Sequence, residues 1–122
     1  MDTGTEQQER RAAPATVRLG RLADEHIAAA RADEHGRSAL LILREAPLRQ
    51  SVIALAAGTR LGEHTTPPPA SLQVLRGTAR VTTDDAVVDL PEGALYLLPD
   101  DRARHSVTAL TDTAVLLTSV NL

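Results

Sequence analysis

Four histidines, His26, His35, His64 and His105, are the residues of this chain best suited to ligate a metal or to move a proton near neutral pH. Two of them close a repeated tetrapeptide, Ala-Asp-Glu-His, at 23–26 and 32–35. The repeat invites a shared metal. On one helix, however, a nine-residue spacing turns through about half a circle beyond whole turns and points the two rings apart. His26 falls on the apolar stripe of that helix, which predicts a partly buried imidazole satisfied by a hydrogen bond. His64, just ahead of a run of prolines, and His105, just ahead of an apolar run, are the candidate site residues.

Other reaction chemistries are excluded by composition. A chain without Cys has no disulfide, no thiolate zinc site and no cysteine nucleophile, and one without Lys has no Schiff base. No Ser sits in a Gly-x-Ser-x-Gly elbow. The 16 acidic residues outweigh 13 basic ones, all Arg, and the sole aromatic residue is Tyr96. A binder of nucleic acid would want a basic groove and stacking rings, so no nucleic-acid partner is expected. No run approaches the length of a membrane span, and no membrane partner is expected. Residues 1–15 carry too little apolar content to offset the entropy of ordering and read as a disordered tail without a secretory h-region; the expected location is cytoplasmic.

The elements that must position the histidines follow from periodicity. Leu19, Leu22, Ala23, Ile27 and Ala30 recur at helical spacing and Gly36 follows, which predicts one amphipathic helix over 19–35 within an N-terminal helical segment, 16–37. From 38 to 122 the pattern becomes short β-type runs at 39–44, 49–57, 71–75, 78–83, 86–90, 94–98, 105–110 and 114–120, separated by Gly, Pro and Asp turn signals. Eight such strands predict an all-β jelly-roll barrel with one N-terminal α-helix. Runs such as 94–98 and 115–117 are apolar on both faces. The outer face must be covered by the helix, the other sheet or a second copy, and a homodimer is the expectation.

The stretch 58–77 resembles the first sequence motif of the cupin superfamily: Gly58, His64 and Gly77 stand in the register of its first Gly, first His and last Gly. Gly93, Pro99 and His105 echo the second motif, with a loop one residue longer than the common pattern and Asp101 where a Gly is usual. The resemblance spans about 49–120 and implies the cupin double-stranded β-helix. In metal-bearing cupins two His and a Glu of the first motif converge with the His of the second. Here His64 and His105 are retained, but Thr66 replaces the second His and Ala70 the Glu. Glu63 does not substitute, because strand alternation turns it from the face His64 uses. The resemblance therefore implies a degenerate metal site, with no firmly implied cofactor and at most a weakly bound divalent metal at His64 and His105.

The expected function is a small-molecule-binding cupin of unassigned activity. Its ligand pocket is formed by His64, Thr66, Leu72, Val74, Tyr96 and His105, with Leu72 and Val74 sharing the inward parity of Ala70. No residue is assigned a catalytic role. The alternative is a metal-dependent cupin oxygenase or isomerase using His64 and His105. A metal-free acid–base pair of His and Tyr96, as in cupin epimerases, lacks a carboxylate convincingly placed to orient the imidazole.

Overall fold

The computed structural model describes residues 16–64, 69–98 and 104–120, with the side chains of 63 and 64 outside the description. The tail assigned to 1–15 lies outside the described residues. Among these residues one helix, α1 (Leu19–Ala32), precedes nine strands. They are β1 (Arg37–Glu45), β2 (Leu48–Leu55), β3 (Arg60–His64), β4 (Ala70–Arg76), β5 (Ala79–Thr83), β6 (Val87–Leu90), β7 (Leu95–Leu97), β8 (His105–Ala109) and β9 (Thr113–Val120). All pairings are antiparallel, in a five-stranded sheet of order β1-β2-β9-β4-β7 and a four-stranded sheet of order β3-β8-β5-β6.

The ninth strand is β3, which the strand pattern of the sequence missed. Its residues Arg-Leu-Gly-Glu-His include one large apolar side chain, too few for an alternation to show, and the strand is held by backbone pairing to β8 instead. Elsewhere alternation matches burial. In β4 Leu72 and Val74 are buried while Ser71 and Gln73 are not, and in β5 Ala79 and Val81 are buried around exposed Arg80. The inward side chains of both sheets, including Leu55, Leu72, Val74, Val81, Val107 and Val115, pack into one core.

Helix α1 lies across the outer face of the five-stranded sheet, touching β1, β2, β4 and β9. Its fully buried Ala23 and Ala30 meet Ala54 of β2 and Ala114 of β9, with Ile27 and Leu75 at the margin. Four small side chains let helix and sheet approach closely, so the helix covers one end of the face that the sequence left apolar. At the other end Leu95 and Leu97 of edge strand β7 remain 60% and 72% exposed.

The helix stops three residues earlier than expected. Asp33 caps it, and its carboxylate accepts hydrogen bonds from the backbone N–H of His35 at 2.9 Å and of Arg37 at 3.3 Å. Those bonds fold 33–36 into a turn, placing His35 beyond the helix rather than on it. His26 meets its expectation, with Nδ1 2.7 Å from Ser38 Oγ in a half-buried contact between α1 and β1.

Candidate functional site

The chain passes from the end of β3 at His64 to the start of β4 at Ala70, and from β7, ending at Leu97, to β8, beginning at His105. Both connections therefore lie at the same end of the barrel. Backbone register sets His64 directly opposite His105 across β3 and β8, and His105 opposite Thr83 across β8 and β5. Two residues far apart in sequence thus become cross-strand neighbours through topology alone.

His105 is 3% exposed. Alternation along β8 gives it the face of Val107 and Ala109, both members of the core, so the imidazole opens onto the inner side of the sheet. His105 takes part in an interaction within the protein.

Of the other residues expected to line a pocket, Leu72 and Val74 are buried within the core cluster and Tyr96 packs against it half-buried. Tyr96 pairs in register with Leu72, which pairs in turn with Leu117 of β9. These side chains form one inward-facing patch on the sheet opposite His105. Thr66 and the side chain of His64 lie outside the described residues.

The position at which the cupin pattern carries its Glu is the first residue of β4, Ala70, paired with Ser119. A methyl group there offers no donor. Counted by chemistry, the four positions supply two imidazoles, a neutral hydroxyl and nothing, whereas a catalytic metal generally takes three protein ligands and keeps one position open. The donor set does not fit a resident catalytic metal, and no chemical step is derived through one.

The same rim holds a pair that sequence reading overlooked. Arg44 of β1 and Arg49 of β2 are directly opposed in register, and the row continues through Ser119 to Ala70. The signal lay in hairpin register, which a β-bulge between Leu41 and Leu43 conceals from simple alternation. Two carboxylates held below the ordinary aspartate range lie elsewhere. Hydrogen bonding from Arg80 holds Asp89 below the usual aspartate range, and the backbone N–H groups of Arg37 and His35 do the same for Asp33.

Two antiparallel sheets of this order, closed around one core with paired histidines at one end, make the fold that of a small cupin domain. Among solved structures the chain is similar to an RmlC-like cupin protein from Desulfovibrio desulfuricans, at TM-score 0.62 and 25% identity over 87% of this chain and 90% of that one. A cupin superfamily protein from Desulfitobacterium hafniense matches at TM-score 0.66 and 17% identity, covering 70% and 78% of the two chains. The salicylate 1,2-dioxygenase of Pseudaminobacter salicylatoxidans matches at TM-score 0.69 and 16% identity, but 82% of this chain corresponds to 33% of that larger one. These likenesses are of fold. No protein-family sequence model matches the chain, and no curated protein matches it by sequence.

Proposed function

We propose that the protein is a small-molecule-binding cupin that works without a resident metal and takes its ligand at the end of the barrel where His64 and His105 meet in register. The observation that supports this reading most is His105: an almost fully buried imidazole on the otherwise apolar inner face of β8, which it shares with Val107 and Ala109. Apolar walls with a few converging polar groups are the usual make-up of a small-ligand site. In this reading Leu72, Val74 and Tyr96 supply the apolar wall, and His64, Thr66 and His105 orient the ligand.

The test is titration of the full chain with 1-N-phenylnaphthylamine, a neutral apolar probe whose fluorescence rises on leaving water. Saturable binding that weakens in Tyr96→Ala and His105→Ala variants of native fold is the expected result. Absence of saturable binding by the unaltered protein overturns the proposal.

A metal-dependent oxygenase or isomerase is the second reading, favoured by the opposed register of the two histidines. It requires a third ligand from outside the cupin positions. Stoichiometric transition metal in protein purified without tag or chelator would replace the first reading with this one.

A further inference from the structure

Arg44 and Arg49 occupy an unusual place for two like charges. They are direct cross-strand partners in the β1–β2 hairpin, where opposed residues share a sheet face with Cβ atoms about 4.5–5.5 Å apart and equal charges repel. Four other arginines of this acidic chain are neutralised locally: Arg21 by Glu25, Arg31 by Asp112, Arg76 by Asp24 and Arg80 by Asp89. Among the described residues, neither Arg44 nor Arg49 has an ion pair or a side-chain hydrogen bond. Together with Ala46 and Pro47 they line a depression of about 160 Å³.

The placement gives this pair a direction. Arg49 has the strand parity of Ile53 and Leu55, which belong to the core side of β2, so both arginines stand on the inner face of their sheet. Their row runs on through Ser119 to Ala70, at the end of the barrel where β8 starts with His105. A hydroxyl and a methyl complete the row, and no carboxylate within it offsets the guanidinium charge. Two residues deeper along the strands the inner-face row runs from Ser51 of β2 to the apolar Leu117, Leu72 and Tyr96, in register.

We propose that Arg44 and Arg49 form an oxyanion site on the barrel rim that takes the carboxylate of a small, otherwise apolar acid. This deepens the binding-barrel reading and rests on it only for where the apolar part of the ligand lies. Guanidinium forks match a carboxylate with two parallel hydrogen bonds each, and an anion between them converts a mutual repulsion into two attractions. A phosphate group carries the same oxyanion chemistry, but the neighbouring apolar inner face favours an organic acid.

Calorimetric titration of the full chain at low salt with benzoate, benzyl alcohol and inorganic phosphate tests this assignment. Benzoate is expected to bind once per chain, with affinity falling about tenfold or more in Arg44→Gln and in Arg49→Gln, as for loss of a charge-assisted hydrogen bond. Benzyl alcohol binding should not change in either variant. Thermal melting provides the folding control, because removing one of two opposed like charges should leave melting unchanged or raise it. Benzoate affinity equal in native protein and both variants, or no benzoate binding at all, overturns the proposal. Arginine-dependent binding of phosphate without benzoate overturns the choice of an organic acid. If benzoate binds through the arginines while benzyl alcohol and the naphthylamine probe do not bind, the rim site stands and the apolar-barrel reading falls.

Discussion

The two ends of the barrel are built on different principles. At the end away from the histidines, loops satisfy one another. Thr113 Oγ1 lies 3.0 Å from the carbonyl of Thr78 and 2.8 Å from that of Thr111, and the Thr78 N–H donates to Thr111 Oγ1 at 3.0 Å. Asp112 accepts from the Ala57 N–H at 2.9 Å and pairs with Arg31 of the helix at 3.4 Å. At the histidine end a like-charge pair faces itself across a hairpin and a buried imidazole opens onto an apolar wall. A region that completes its own hydrogen bonding holds a fold together. A region that leaves charge uncompensated has room for something from outside.

The sharpest way to break that contrast is to complete the donor set at the histidine end. Thr66→His with Ala70→Glu should raise zinc affinity at least about 100-fold in calorimetric titration, by adding a nitrogen donor and an anionic one to the opposed histidines. No gain would mean that the register of β3 and β8 does not bring the two motifs together.

At the self-satisfied end the largest stability effect is expected from Gly77→Ala. Gly77 has φ +79°, and a Cβ there would collide with the backbone carbonyl of Asp112. Strain and displaced backbone together should cost about 3 kcal/mol in urea unfolding. Gly58, at φ +86°, has nothing within 4 Å of an added Cβ, so Gly58→Ala should lose only about 1 kcal/mol. Equal losses in the two variants would remove the steric explanation.

A smaller effect is expected on the outer face beside the rim. Leu97 is exposed beside Thr118 and Val120, and Leu95 is exposed on the same strand. Burial of that face in a homodimer predicts that sedimentation mass falls to that of a monomer in Leu97→Lys. A concentration-independent monomer in the unaltered protein would refute the dimer.

The smallest is a pH effect at two exposed carboxylates. Asp89 and Asp33 are held below the ordinary value of 3.8 by their hydrogen-bond donors, so their contribution to stability is present above that pH and is lost as pH falls through their lowered values. Asp89→Asn should therefore make the acid limb of the melting curve shallower below about pH 4 while leaving the neutral region nearly unchanged. An unchanged acid limb would show that the Arg80 pair does not contribute.

Much of this architecture is legible in the sequence where one physical signal dominates. Alternation in 71–75 and 78–83 reads out β4 and β5 because one face of each is buried in the core. The helix shows through Ala23, Ile27 and Ala30, although its end does not, since the deciding interaction is a side chain, that of Asp33, bonding to backbone beyond it. β3 is invisible because its stability comes from backbone pairing to a strand distant in sequence. The histidine pair is legible only through the family resemblance, and the arginine pair not at all, since hairpin register and a bulge decide which residues stand opposite each other.

The place of β9 carries a consequence for how the chain acquires this shape. It lies between β2 and β4 in the middle of the five-stranded sheet, although it follows every other described strand in sequence. During synthesis β2 and β4 must therefore wait with open edges while the intervening strands emerge, and the larger sheet is completed only when β9 slots between them. Folding of the barrel is expected to be late and concerted rather than stepwise from the N-terminus, with nascent chains most prone to mispairing just before that last strand leaves the ribosome.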